Sequence, residues 1–179
     1  MRYPAEETAE KHERILQEAS KMFRERGFQD VTVAGVMKAA DLTHGTFYSH
    51  FESKEALMAA ATEYAMETTL ARWQRTSATA KARSAWVGRY LSTEHRDNLA
   101  TGCAIAALSG EIRHEPAVKE VFTAQLKAII DEVGGDRAEA LLKLSAMVGA
   151  LAIARAVSDP DLSQEILQKV KKELERKPA

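Results

Sequence analysis

The sequence contains one cysteine, four prolines and nine glycines. A single cysteine, Cys103, excludes an internal disulfide framework and is typical of a reducing compartment. No apolar run approaches the roughly 18 residues that a membrane-spanning helix needs. The N-terminal stretch MRYPAEETAEKHER is too acidic and polar for a secretory signal. We therefore expect a cytoplasmic protein without a membrane-spanning segment.

The chain has no large excess of positive or negative charge, and it lacks the common catalytic motifs. Its net charge is −1 at pH 7, so no global field attracts nucleic acid, and any basic surface must be local. The sequence has no GxxxxGK[ST], GxGxxG, GxSxG or HExxH pattern. We expect neither an enzyme nor a cofactor, although a helical-bundle enzyme without a recognisable motif stays open as an alternative.

Extended alternating runs of Val, Ile and Thr are absent, and most glycines and prolines fall where helices should begin or end. The pattern predicts an all-α protein of about nine helices. Thr32, Thr43 and Ser53 are the expected N-caps of the second, third and fourth helices. The predicted helices span residues 6–26, 33–40, 44–50, 54–76, 80–92, 103–114, 117–133, 137–157 and 162–176.

Residues 42–51, LTHGTFYSHF, are poor helix formers placed where a helix is expected. Together with residues 32–40 they have the dimensions of a helix-turn-helix, whose second helix enters the DNA major groove. Gly45 would let the backbone approach DNA closely, while hydroxyls, imidazoles and a phenol offer contacts to bases and phosphates. Phe47 and Phe51 are expected to face inward. Plain helix packing without DNA binding is the alternative.

These residues carry a family resemblance. The run TVAGVMKAADLTHGTFYSHFESKEAL resembles the DNA-binding signature of the TetR family of bacterial transcriptional regulators, and ILQEASKMFRERGF is similar to that family's first helix. The resemblance implies a helix-turn-helix domain at residues 1–53 and a helical ligand-binding and dimerisation domain at residues 54–179. It also implies DNA contacts at Thr32, Thr43, His44, Gly45, Thr46, Tyr48, His50 and Lys54. His44 departs from frequent family residues at a position that helps to choose the operator, and Ser49 stands where an aromatic residue is frequent, so we expect one weaker phosphate contact.

Residues 137–157 are apolar almost all round, and the last helix carries a stripe of Leu and Ile residues. Two such helices from each subunit would form a four-helix interface, which is where the family places it. We therefore expect a homodimer through residues of about 137–176, bound to a palindromic double-stranded DNA operator. Half-sites would lie about one DNA turn apart, ~34–36 Å. In the alternative interpretation these helices only cover their own core.

The helices between residues 54 and 133 would surround a pocket for an unknown small-molecule inducer. Arg155 interrupts an apolar helix, and it either faces an anionic ligand, snorkels to the surface or pairs with a carboxylate. Candidate lining residues, each of which could equally be ordinary core, are Tyr64, Trp73, Trp86, Tyr90, Phe122 and Met147.

Cys103 is a further candidate for the ligand site. At a helix N-terminus it would form a reactive thiolate that senses oxidants or electrophiles, whereas among Ala, Ile and Leu it would be a small buried hydrophobe. Glu111 and His114 have the spacing of a metal pair, but no second pair accompanies them, and we expect no metal site. The sequence thus predicts a ligand-responsive regulator, with a repressor released by an inducer as the first hypothesis and a cysteine-based sensor as an alternative.

Overall fold

The computed structural model describes residues 5–76, 79–133 and 135–176. Over these ranges the chain is helical and contains no strand, which confirms the all-α prediction. Nine α-helices and one 3-10 helix follow one another. They are α1 (Ala5–Arg26), α2 (Val33–Ala39), the 3-10 helix His44–Ser49, α3 (Lys54–Thr76), α4 (Ala80–Tyr90), α5 (Thr93–Asp97), α6 (Ala104–Ile112), α7 (Pro116–Val133), α8 (Arg137–Ala156) and α9 (Pro160–Glu175).

Two elements differ from the predicted helices. The segment expected to be an α-helix at residues 44–50 is a 3-10 helix, whose bonds include Thr46 N–H to the Thr43 carbonyl at 3.1 Å. The short helix α5 was not predicted. It begins because the Ser92 hydroxyl accepts the His95 N–H at 3.2 Å, which is ordinary N-capping.

The predicted caps are partly confirmed. Thr32 accepts the Gly35 N–H at 3.1 Å, and Ser53 accepts the Ala56 N–H at 3.1 Å. Thr43 occupies the N-cap position of the 3-10 helix as predicted, but its side chain makes no capping bond. Its hydroxyl lies 2.9 Å from the Thr46 hydroxyl instead, so the two side chains satisfy each other.

A first hydrophobic core holds the N-terminal helices together. It contains buried side chains of α1, α2 and the 3-10 helix, among them Phe23, Val36 and Phe47, and the first turns of α3. Leu108 and Ile112 of α6 complete it, with Val118 of α7. The N-terminal helices therefore share their core with α6 and α7.

A second core lies among α3, α4 and α6–α9, with Met66, Val87, Leu151 and Leu167 among its buried members. The long helix α3 enters both cores, Leu57 in the first and Met66 in the second. A displacement of α3 would therefore affect both cores at once. Among the described residues no helix is both long and apolar enough to cross a membrane.

Candidate DNA-binding surface and ligand cavity

The turn between α2 and the 3-10 helix depends on one unusual backbone conformation. Asp41 has φ +56°, in the left-handed region that Asp tolerates better than most residues. The chain reverses there, and the Leu42 N–H donates to the Met37 carbonyl at 2.9 Å. The result is a helix-turn-helix with a three- to four-residue connection, as the sequence predicts.

Two phenylalanines fix the 3-10 helix to the first core, as expected. Phe47 is 1% exposed and Phe51 is 7% exposed, and their rings stack with centroids 5.8 Å apart. With the apolar side anchored, the remaining residues of the 3-10 helix face outward. Tyr48 is 69% exposed, the most unusual exposure of an aromatic side chain in the described residues.

The predicted DNA contacts divide into two groups. Thr32, Thr43, His44, Gly45 and Tyr48 are exposed, whereas Thr46, His50 and Lys54 are half-buried. His50 lies against the α1 residue His12, whose ring stacks on Phe51 at 4.7 Å. Burial lowers the pKa of His50, and His12 and Lys11 lower it further. His50 therefore also belongs to the packing between α1 and the helix-turn-helix.

An apolar cavity, the inner cavity, lies within the second core. Trp73 and Trp86 meet edge to face with centroids 4.2 Å apart, and Trp86 also contacts Tyr90 at 5.1 Å. The Trp73 indole donates to the Glu132 carbonyl at 3.2 Å, which fixes its ring. The enclosed volume of this cavity is about 30 Å³. These are Thr69, Leu70, Trp73, Trp86, Tyr90, Cys103, Ile105, Ile129, Val133, Lys143, Leu144 and Met147.

A wider and more polar cleft, the outer cleft, adjoins the inner cavity and shares Thr69, Trp86, Tyr90 and Cys103 with it. Its volume is about 480 Å³, and it is open in part to solvent. The two spaces thus form one continuous site with an apolar end and a polar end. The other residues of the outer cleft are Arg72, Arg89, Ser92, Glu94, His95, Asn98, Thr101 and Gly102.

Most predicted ligand residues lie in this site, and two do not. Trp73, Trp86, Tyr90, Cys103 and Met147 line one or both spaces. The structure places Tyr64 and Phe122 elsewhere: Tyr64 is half-buried outside both spaces, and Phe122 packs against the first and second cores.

Cys103 is 5% exposed and caps α6, with its sulfur accepting the Ala106 N–H at 3.5 Å. Tyr90 lies beside it. Burial raises the pKa of Tyr90 well above its ordinary value, and the neighbouring thiol raises it further. The Tyr90 hydroxyl is buried without a hydrogen-bond partner among the described residues. A polar group of this kind is costly to bury unless something satisfies it.

Two arginines lie next to the cleft. Arg155 of α8 donates from Nε to the Arg96 carbonyl at 2.9 Å and from Nη2 to the His95 carbonyl at 3.0 Å. It is therefore bonded to the backbone of α5 rather than snorkelling or paired with a carboxylate. Arg24 of α1 donates to the Ser20 hydroxyl at 2.9 Å and to the Gly102 carbonyl at 3.5 Å. Burial lowers the pKa of Arg155 and lowers that of Arg24 to about 10.

His95 is half-buried in α5. Its Nδ1 lies 2.7 Å from the Tyr90 carbonyl, so this nitrogen carries the proton that the carbonyl accepts. Burial lowers the pKa of His95, and the charges of Arg155 and Arg72 act in the same direction.

A contact that the sequence does not reveal joins α6 to the helix-turn-helix. The Glu111 carboxylate accepts the Phe28 N–H at 2.7 Å, immediately after Gly27 ends α1 with φ +78°. A Cβ at Gly27 would lie 2.4 Å from the same carboxylate. Glu111 is thus engaged by the α1–α2 turn, and the part of the chain that the structure describes contains no cluster of metal-ligating side chains.

The last two helices, α8 and α9, expose large apolar side chains. Leu142 is 70% exposed and Ile153 is 54% exposed on α8, and Leu162 is 43% exposed on α9. A Cβ at Gly149, between Leu142 and Ile153, would meet nothing within 4 Å. Soluble proteins rarely leave such a contiguous apolar face uncovered.

The fold and surface together define a class: an all-α protein with a helix-turn-helix next to a helical domain that contains a cavity. Residues 15–61 match the family model described as bacterial regulatory proteins, tetR family. The N-terminal segment therefore matches the TetR family of bacterial regulatory proteins, as the resemblance implies.

Individual proteins agree with this assignment. The chain is 40% identical over 55 residues to the uncharacterized HTH-type transcriptional regulator YerO of Bacillus subtilis, covering 31% of this chain and 19% of YerO. It is 28% identical over 123 residues to the HTH-type transcriptional repressor KstR2 of Rhodococcus jostii, covering 67% of this chain and 60% of KstR2. The matches span less than two thirds of each relative.

A structural comparison extends over nearly the whole chain. The crystal structure of a TetR-family transcriptional regulator from Agrobacterium tumefaciens superposes with a TM-score of 0.76 at 19% identity, covering 93% of this chain and 98% of that one. This similarity shows that the cavity-bearing helices also have the TetR-family fold.

Proposed function

We propose that the protein is a ligand-responsive transcriptional repressor that binds a palindromic operator as a homodimer in the cytoplasm and is released by a small-molecule inducer. The 3-10 helix supports this proposal most directly. Its polar side is exposed while Phe47 and Phe51 are buried, and it lies within the segment that matches the TetR family. Repression, rather than activation, is inferred from the similarity to KstR2, which is a transcriptional repressor.

In this proposal residues 1–53 form the DNA-binding domain, and residues 54–179 bind the inducer and form the dimer. Tyr48, with most of its ring exposed, is positioned to donate its hydroxyl to a phosphate. Lys54 begins α3, where the helix dipole and backbone N–H groups attract an anion. The other proposed contacts are Thr32, Thr43, His44, Gly45, Thr46 and His50.

The proposed dimer interface is the exposed apolar face of α8 and α9, within residues 137–176. Leu142, Gly149 and Ile153 succeed one another at spacings of seven and four residues, so they lie on one side of α8. The open space at Gly149 would let the partner's helix approach closely. A dimer of this kind places two recognition helices on one operator.

The inducer signal would travel through α6 and α3. Cys103 begins α6 at the cavity, and Glu111 near its other end holds the Phe28 N–H. Because Leu108 and Ile112 belong to the first core, a shift of α6 also displaces the packing under the helix-turn-helix. Releasing the operator almost completely requires the ligand to favour the non-binding state by about 5 kcal/mol.

The test is selection of random duplex DNA by the purified full-length protein near physiological salt. An enriched palindrome with half-sites one helical turn apart supports the proposal. Binding that is weak, independent of sequence and steeply salt-dependent contradicts it, because that behaviour needs only phosphate contacts. A parallel selection with a Lys54→Ala variant should show the same sequence preference at lower affinity.

A cysteine-based sensor of the same architecture is a second candidate, favoured by the position of Cys103 on both the inner cavity and the outer cleft. Oxidation or alkylation of its sulfur would place new atoms at the start of α6. Release of the selected operator by peroxide or N-ethylmaleimide in the native protein, but not in Cys103→Ser, would support this candidate. Equal release from both proteins would contradict it.

A further inference from the structure

We propose that the ligand is an amphipathic organic acid: an apolar body of about the size of an aromatic ring or short acyl chain, carrying one carboxylate. The apolar body would pack against Trp86 and Tyr90, where the outer cleft meets the inner cavity, and the carboxylate would lie in the outer cleft. This inference rests on the ligand-responsive function proposed above, because it names the ligand class for the same site.

The inner cavity determines the apolar part. Its wall consists of Trp73, Trp86, Ile129, Leu144 and Met147 together with other mostly apolar side chains. The two indole rings are already in edge-to-face contact, and an aromatic or acyl group between the helices would extend that packing. Lys143 also contributes to this lining, but the surface that the lining presents is apolar, so a charged group placed there would be costly to bury.

The outer cleft determines the polar part, since its positive charges outnumber its acids. Arg72 and Arg89 line it with His95, and the acidic residue of the lining is Glu94, which is exposed. The other nearby carboxylate, Asp97, accepts from the Arg96 guanidinium at 2.7 Å and is neutralised there. An anion entering the cleft is therefore attracted by its local field.

The groups beneath the cleft are hydrogen-bond donors without enough acceptors. Among the described residues neither Arg24 nor Arg155 has a carboxylate within ion-pair distance. Arg24 Nε and Arg155 Nη1 are buried without any partner there, and both side chains flank Gly102, which lines the cleft. Guanidinium groups in this state are stabilised when a carboxylate approaches.

Tyr90 provides the second, independent observation. Its side chain is only 7% exposed and lines both spaces. Its hydroxyl has no hydrogen-bond partner among the described residues. The N-terminus of α6 opens at Cys103 beside it and adds the positive end of a helix dipole. A ligand that supplies an oxyanion would satisfy these donors together, whereas a ligand with only donor groups would not.

The experiment uses the fluorescence of the protein itself, because both tryptophans of the sequence, Trp73 and Trp86, line the inner cavity. Full-length protein is titrated with phenylacetate, 3-phenylpropionate, 4-phenylbutyrate and octanoate, each compared with its uncharged amide. At least one acid should change the fluorescence saturably and bind about tenfold or more tightly than its amide, as a charge-assisted hydrogen bond requires. Equal affinity of every acid and its amide, or no saturable change with any acid, would overturn the proposal.

Variants distinguish this site from a non-specific effect. Tyr90→Phe removes a hydroxyl that has no partner in the described residues, so the thermal midpoint should not fall, while the acid should bind about fivefold more weakly. Tyr64→Phe, outside both spaces, is the matched control and should bind normally. Arg72→Gln should weaken the acid but not the amide, whereas Arg75→Gln on the same helix should change neither. Acid binding that is unaffected by both Tyr90→Phe and Arg72→Gln contradicts the proposal.

These titrations contain no DNA, so their outcome is independent of the operator selection described above. Saturable acid binding with no selected palindrome would overturn the regulator proposal and support the ligand class. A selected palindrome with equal acid and amide affinities would do the reverse.

Discussion

The Glu111 carboxylate accepts the backbone N–H of Phe28 at 2.7 Å, and this bond joins two segments that are 83 residues apart in the sequence. Phe28 lies in the turn that orients α2, and Glu111 lies on the helix that begins at the ligand cavity. The bond is therefore the most direct polar connection between the cavity-bearing helices and the helix-turn-helix in the described residues.

Replacing Glu111 by Ala should lower the free energy of unfolding by about 2 kcal/mol, because a half-buried N–H loses a charged acceptor. It should also make operator affinity less responsive to the inducer. Urea unfolding and fluorescence anisotropy on the selected operator measure the two effects. Glu120→Ala, an exposed carboxylate on α7, is the control and should leave both unchanged. A variant as stable and as ligand-responsive as the native protein would exclude Glu111 from the connection.

Gly45→Ala should leave the fold intact and weaken DNA binding by about tenfold or more. A Cβ at Gly45 meets nothing within 4 Å in the protein, so the methyl group has no clash to create there. Against DNA, however, it would occupy the space into which the backbone must approach. Gly110→Ala on α6 is matched, since its Cβ also meets nothing, and it should bind the operator normally. Equal affinities of the two variants would remove Gly45 from the interface.

Leu142→Arg should convert the dimer into a monomer at micromolar concentration. The side chain is 70% exposed, so the single chain tolerates the change, whereas a buried arginine at the centre of an interface without a partner is strongly unfavourable. Light scattering should then report the mass of one chain, 19.7 kDa, and operator binding should weaken. Leu99→Arg, at an exposed leucine outside α8 and α9, should remain dimeric. A native protein that is monomeric under the same conditions would contradict the proposed interface.

Acidification below about pH 6.5 should destabilise the protein through His95 and His50. Both have a pKa lowered from the ordinary 6.5, so the unfolded chain binds protons at a pH where the folded chain does not. Stability is therefore complete above pH 6.5 and falls as the pH decreases towards the folded pKa values. His95→Asn, which can still donate to the Tyr90 carbonyl, should reduce the fall in thermal midpoint between pH 7.5 and about pH 5.5. His44→Asn, at an exposed imidazole, should not. Parallel pH profiles of native and His95→Asn proteins would refute the assignment.

Local chemistry predicted a large part of this fold. The Phe47–Phe51 spacing predicted which side of the recognition helix is buried, and the Thr32 and Ser53 caps follow from their hydroxyls. Helix α5 was missed because five residues show no apolar period, and its backbone carbonyls are held by Arg155 from a distant helix. Thr43 is the N-cap that the sequence predicts, but its hydroxyl contacts the Thr46 hydroxyl instead of a backbone N–H.

The aromatic residues of the proposed ligand site were predictable from the sequence, whereas its polar residues were not. Trp73, Trp86 and Tyr90 stand out by size, and large aromatic side chains are the obvious candidates for a pocket. Arg24 gives no such signal, since an arginine on an amphipathic helix is ordinarily solvated. Its place beside Gly102 depends on how α1 packs against α6, which is a tertiary property. The same is true of the Glu111–Phe28 bond.

The sharing of the first core by α6 and α7 has a consequence for protein engineering and for evolution. Leu108, Ile112 and Val118 are as much part of the packing beneath the recognition helix as Phe23 or Val36. In a chimera that joins residues 1–53 to the C-terminal helices of another regulator, the core around Phe28 and Phe47 would be completed by different side chains. Exchange of DNA specificity between relatives should therefore succeed when only the exposed residues of the 3-10 helix are replaced. Transfer of the whole N-terminal segment should require matching changes at Leu108, Ile112 and Val118.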